Sequence, residues 1–200
     1  MWQFVLKTSV PLPFRLFNAH IHFRLFKMGL VRTLNGVTPE LGKGCFIAET
    51  ATLIGRVKAG DNCSFWYGAV LRGDVCDLIL GDRVNIQDGA VVHGTYEKSV
   101  TRIGNDVTVG HNAIVHGCVL QDNVLIGMGA IVMDDAVVPS GTIVAAGAVV
   151  LEKQILEPNS IYAGTPAKKV KALDPNTSQE MLKGIASKYV MYSGWYNSGE

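Results

Sequence analysis

The sequence predicts an all-β solenoid, a parallel β-helix of hexapeptide repeats with a C-terminal α-helix packed alongside. Three observations predict it: aliphatic residues recur every six positions, small residues follow them at a fixed offset, and the frame gives way at the end to an apolar stripe of helical period. The aliphatic series runs Ile47, Leu53, Ala59, Phe65 and Leu71; then Leu80, Ile86 and Val92; then Ile103, Val109 and Val115; then Leu120, Ile126, Val132, Val138, Val144 and Val150. Fifteen of these 17 positions are Leu, Ile or Val. Four residues later the side chain is often small, as at Ala51, Cys63, Ala69, Ala90, Ala113, Ala130, Ala136 and Ala148. Gly follows the aliphatic residue at Gly60, Gly81, Gly104, Gly110 and Gly127. A hexad of this kind fits a short strand plus a tight corner, with the aliphatic side chain inward and a small residue or Gly permitting the turn. Three hexads close one triangular coil of 18 residues, so 17 hexads make five to six coils. A β-sandwich would instead place turns at roughly 8 to 12 residues.

The frame breaks in three places. Leu71 to Leu80 is nine residues, Val92 to Ile103 is 11, and Val115 to Leu120 is five. A solenoid absorbs such changes only at corners, and loops on a regular scaffold are where function concentrates.

The chain divides into an N-terminal extension, 1–27, a β-helix, 28–160, and a turn with a C-terminal helix, 161–200. The extension carries Lys7, Arg15, Arg24 and Lys27 among five phenylalanines, and no Asp or Glu precedes Glu40. It reads as a mis-called start or a disordered extension ahead of a domain that opens at Met28, or as a mitochondrial presequence. Its His20 and His22 have no partners in sequence and are expected to face solvent. The hexads stop at Val150, and the segment Ile161 to Lys169 is expected to leave the coils as a turn. Thr177 and Glu180 have capping-box spacing, followed by an apolar stripe of Met181, Leu182, Ile185, Tyr189 and Tyr192.

Composition excludes several classes. Of 200 residues 48% are hydrophobic and 18% charged, enough for a core without disulfides and too apolar for a disordered chain. Without the extension, 14 basic residues face 17 acidic ones, so the body has no basic bias toward nucleic acid. No apolar run reaches the length of a membrane span. Cys45, Cys63, Cys76 and Cys118 form neither a CxxC nor a metal-ligand spacing, which points to reduced thiols and a cytoplasmic setting, or a mitochondrial one if the extension is a presequence.

All three histidines of the body lie beside the broken frame. His93 and His116 each follow an aliphatic position directly, and their separation of 23 is one 18-residue coil plus the five-residue insertion. The two are therefore expected to stack on one face, roughly 4.8 Å apart along the sheet, close enough for both imidazoles to reach one metal ion. His111 follows Val109 by two and belongs to the preceding face, so it is poorly placed to complete their site within one chain. A neighbouring subunit can supply it. Three imidazoles with a fourth position open is a catalytic zinc arrangement, although spacing alone also allows three unrelated polar residues.

The segments LRGDV, NIQDGAVVHGT and TVGHNAIVHGC on this hexapeptide frame resemble the γ-class carbonic anhydrase family, and the likeness covers Met28 to about Tyr196. The resemblance implies a left-handed β-helix, an exception to the right-handed crossover rule, assembled as a homotrimer with a metal between each pair of subunits. It implies that His93 and His116 of one subunit and His111 of the next ligate zinc, with iron(II) or cobalt as alternatives, and that the reaction is reversible hydration of carbon dioxide to bicarbonate. Gln87 matches the residue that hydrogen-bonds metal-bound water, and Asn85 and Asp88 match its polar neighbours. Arg72 and Asp74 match an ion pair at the subunit interface. For Arg72, Asp74 and Asp88, trimer assembly without a direct catalytic role is equally open. Tyr189 matches a position where some relatives place a polar group near the metal, with core packing as its other role.

Two departures mark the shorter branch of the family. The most active members carry Glu directly after the RGD and an acidic loop between the first two ligands, whereas here Val75 follows Asp74 and the loop GTYEKSVTR holds only Glu97. Activity in that branch is sometimes low. Two further readings remain on this frame: a hexapeptide acyltransferase that uses acyl-CoA and one general-base His, and a catalytically silent γ-type assembly subunit.

Overall fold

An inward side chain at every sixth residue demands a corner between successive inward positions, and the chain turns many of these corners with left-handed backbone. Asn62, Arg83, Asp106, Asn123 and Asn159, each three residues after an inward position, have φ between 49 and 57°. Asn and Asp tolerate this region better than other residues with a Cβ. Arg83 is held there by a bidentate pair with Asp106, at 2.6 and 2.8 Å.

The computed structural model describes residues 29–197, and in them the corners stack into a left-handed parallel β-solenoid of about seven turns. The sequence reading of residues 1–27 lies outside the described residues. Three columns of inward residues follow from the pairing register. The first is Leu53, Leu71, Val92, Val115, Val132 and Val150. The second is Ala59, Leu80, Ile103, Leu120 and Val138. The third is Phe65, Ile86, Val109, Ile126, Val144 and Tyr162. Sixteen of the 17 hexad positions are buried. The exception, Ile47, is half-buried because its strand pairs on one side only, with Ser64–Phe65.

Where the frame ends differs from the expectation. Leu156 and Tyr162 continue it beyond Val150 at the same six-residue step and are 3 and 6% exposed. Strand Ser160–Ala163 pairs in parallel with Ile143–Val144 as a last rung, and Lys168–Ala172 returns antiparallel to it. The expected turn at Ile161 thus begins only at Gly164, because Tyr162 still has a core to fill.

The helix Pro175–Asn197 packs along the third face, against Ser64–Phe65 and Thr108–Val109. Its cap is Asp174 rather than Thr177. Asp174 Oδ1 accepts the Thr177 amide and hydroxyl, both at 2.9 Å, and Pro175 opens the helix where no amide donor is needed. Leu182 and Ala186 are buried, whereas Met181 is 44% exposed, so the packed stripe runs through Ser178, Leu182, Ile185, Ala186 and Tyr189. Among the described residues no helix is long and apolar enough to cross a membrane.

All three frame breaks fall on the same corner, between the first and second faces, in consecutive coils. There the long strands Thr52–Ala59 and Val70–Leu80 run continuously around the corner, with a register shift between Gly55 and Val57. The next coils carry the histidines.

Candidate metal centre

His93 and His116 pair in register on adjacent strands, as the spacing predicted. Nδ1 of His93 lies 3.2 Å from Nε2 of His116. The far nitrogen of each ring meets a carboxylate. His93 Nε2 is 2.9 Å from Asp74 Oδ1, and His116 Nδ1 is 2.9 Å from Asp134 Oδ2. Asp74 also pairs with Arg72 of the same chain. Burial alone would raise the Asp74 pKa, but the hydrogen bond from His93 and the pairing with Arg72 outweigh it and leave the carboxyl below its ordinary value. Asp134 follows the same logic. Burial works against ionisation, and hydrogen bonds from Ser99 and His116 lower the pKa in the balance.

These carboxylates fix the tautomers. With each far nitrogen donating to an ionised Asp, Nδ1 of His93 and Nε2 of His116 present lone pairs to one another. Two lone pairs so placed repel unless a cation sits between them, either a metal ion or a proton shared as an N–H···N hydrogen bond. Tetrahedral ligation with Zn–N bonds of roughly 2.0–2.1 Å sets the nitrogens about 3.3 Å apart, so the pair fits two legs of such a site. Ligating imidazoles whose other N–H rests on a carboxylate are the usual outer-shell pattern.

His111 stands elsewhere, at the corner between the third and first faces. Its Nδ1 is 2.8 Å from Asp88 Oδ2, and the two side chains are 42 and 44% exposed, open to a partner. Among the described residues no group of three or more His, Cys, Asp or Glu within the chain is placed to hold a metal. The chain therefore presents two separate parts, a histidine pair at one corner and a lone histidine at another, and each imidazole rests on its own aspartate.

Of the remaining sequence-predicted residues, Gln87, Asn85, Asp88 and Tyr189 lie with the His111 part. Gln87 and Asn85 are 5 and 1% exposed. Gln87 Nε2 donates to Asn85 Oδ1 at 3.1 Å, and Asn85 Nδ2 donates to Thr108 Oγ1 at 2.8 Å, which fixes the Gln87 amide and leaves its Oε1 to accept. Tyr189 packs edge-on against Trp66, with centroids 5.7 Å apart, and lines an aromatic cleft with Tyr67, Asp88, His111 and Tyr192. Burial raises its pKa and the Asp88 charge adds to the shift. Both of its expected roles, packing and a place beside a candidate ligand, are compatible with that position. Glu97 is exposed on the inserted segment, in a cleft with Arg56, Asp77 and Lys98.

Sequence reasoning missed Asp134 and Ser99. Asp134 lies 18 residues after His116, but the coil between them is one residue short, so it falls one place past the register partner Met133 and the hexad frame did not point to it. Ser99 gave no signal, because its position depends on the path of the insertion.

A hexapeptide β-helix bearing a histidine pair and a separate third histidine defines a narrow class of proteins, and relatives identify it further. The chain is 36% identical to a carbonic anhydrase of Geobacillus kaustophilus, over 84% of this chain and 92% of that one. It is 40% identical to γ carbonic anhydrase 2, mitochondrial, of Arabidopsis thaliana over 76% of its length, and spans 56% of that longer protein. A solved hexapeptide transferase family protein from Anaplasma phagocytophilum superposes with a TM-score of 0.77 at 40% identity, over 84% of this chain and 98% of that one. No family model matches the chain. The chain belongs to the γ-class carbonic anhydrase family.

Proposed function

We propose that the protein catalyses reversible hydration of carbon dioxide to bicarbonate as a homotrimer, with a zinc ion at each subunit interface held by His93 and His116 of one chain and His111 of the next. The observation that carries this reading is the facing of His93 Nδ1 and His116 Nε2 across 3.2 Å with both far nitrogens on carboxylates. Iron(II) or cobalt suits an all-imidazole set as well. When bound, the metal lowers the pKa of its water ligand to near 7, which makes water a usable nucleophile at neutral pH.

The chain's own residues supply orientation. Asp88 holds the Nδ1 side of His111 and leaves its Nε2 directed away. Gln87, immobilised by Asn85, offers Oε1 as an acceptor for a water proton. Arg72 neutralises Asp74, so that Asp74 stays ionised and keeps the His93 tautomer. Tyr189 shapes the aromatic wall beside His111. Proton export rests on buffer or on Glu97. The compartment that suits this reading is the cytoplasm, or mitochondria if residues 1–27 serve as a presequence.

Metal content and carbon dioxide hydration measured on one purified sample test the proposal. It expects about one metal ion per chain and turnover that disappears on chelation. Bound metal without turnover would assign the chain to the silent assembly subunits, and turnover of acyl-CoA without metal would assign it to the acyltransferases.

A further inference from the structure

We propose that Asp134 is a positioning residue for His116, and that Ser99 on the inserted segment between Val92 and Ile103 holds Asp134 in place. The proposal rests on the reading of His116 as a metal ligand.

Asp134 lies on the coil after His116, one place past its register partner Met133 because that coil is a residue short, and its side chain reaches back to the same corner. Both of its oxygens are engaged: Oδ2 accepts from His116 Nδ1 at 2.9 Å, and Oδ1 accepts from Ser99 Oγ at 2.9 Å. Ser99 Oγ in turn accepts the Thr95 amide at 2.8 Å, which directs its own proton to Asp134. The carboxylate cannot rotate without losing one partner, and its side chain is only 15% exposed.

Gly117 leaves the room this needs. A Cβ there would stand 2.0 Å from Asp134 Oδ1 and 2.4 Å from Ser99 Oγ. The same segment brings in Thr101, whose hydroxyl donates to the His93 carbonyl and accepts the Gly117 amide at 3.0 Å. The five extra residues thus build a clasp across the two histidine strands. Its product is one tautomer of His116, with the proton on Nδ1 and the lone pair on Nε2 facing His93. Without the acceptor, the proton is free to occupy Nε2 and block ligation there.

The test uses full-length wild type, Asp134→Asn, Asp134→Ala and Ser99→Ala, with two readouts. Zinc dissociation constants by chelator competition should weaken roughly 10–100-fold in Asp134→Ala, less in Asp134→Asn, which keeps a neutral acceptor, and several-fold in Ser99→Ala. The ¹⁵N shifts of His116 in zinc-free protein should show a proton on Nδ1 in wild type and a redistributed proton in Asp134→Ala. Wild-type zinc affinity in folded Asp134→Ala, or in Ser99→Ala should the Ala variant not fold, would overturn the proposal. If wild type itself binds no zinc, the proposed function fails, and the tautomer decides alone: a shift between variants upholds the positioning role, and no shift overturns it.

Discussion

Nδ1 of His93 faces Nε2 of His116 across 3.2 Å while Asp74 and Asp134 hold the opposite edges of the two rings. This relationship converts a sequence spacing of 23 into a chemical statement. The carboxylates turn two ring nitrogens toward a common point, where a metal ion or a shared proton makes the arrangement favourable. The predictions below follow from it and from the solenoid that carries it.

Gly117 and Gly129 both have left-handed backbone, with φ of 56 and 65°, but only Gly117 is crowded; a Cβ at Gly129 meets nothing within 4 Å. Replacing either by Ala should cost about 1–2 kcal/mol of backbone strain. Gly117→Ala should in addition weaken zinc binding, since the new methyl displaces the Asp134 carboxylate. Denaturation and zinc titration of the two variants separate strain from displacement, and equal zinc affinities would count against the clasp.

Cys45 should be the reactive thiol. A hydrogen bond from Cys63 lowers its pKa, against burial, to about 7, whereas burial pushes Cys118 up to about 12. Cys63 is raised by the same pairing with Cys45, and Cys76 by burial. The thiolate is the nucleophile, so Cys45 should alkylate with iodoacetamide at a rate that rises through pH 7 and levels above it. A midpoint near the ordinary thiol value, or faster labelling of another cysteine, would contradict this.

Much of this was readable in the chain. The hexad frame located the core because an inward position every six residues leaves no alternative packing, and His93 and His116 fell into register because an 18-residue coil plus a five-residue insertion must return to the same face. Ile47 departs because an end rung has one neighbour, and Leu156 and Tyr162 were overlooked although they keep the six-residue step. Asp174 displaced Thr177 as cap since Pro175 fixes the first helical turn. Ser99 was invisible because an insertion's path depends on what it lands on.

Proton removal should limit turnover. Glu97 is the sole acid in the loop where the family resemblance implies an acidic relay, and it is exposed in a cleft lined also by Arg56 and Lys98. Carbon dioxide hydration should be slow in dilute buffer and rise with imidazole concentration. A rate independent of buffer would reveal an internal route.

The central claim is that the metal site needs two chains, since His111 with Asp88 occupies a different corner from the His93 and His116 pair. His93→Ala and His111→Ala homotrimers should each lose tight zinc binding. Unfolding the two variants together and refolding them makes interfaces in which His93 and His116 come from one chain and His111 from the other, free of mutation. Zinc per subunit, measured on isolated trimers across a mixing series, is therefore predicted to be near zero at both ends and to peak between them. Zinc absent at every mixing ratio would contradict a shared site and return all three imidazoles to a single chain.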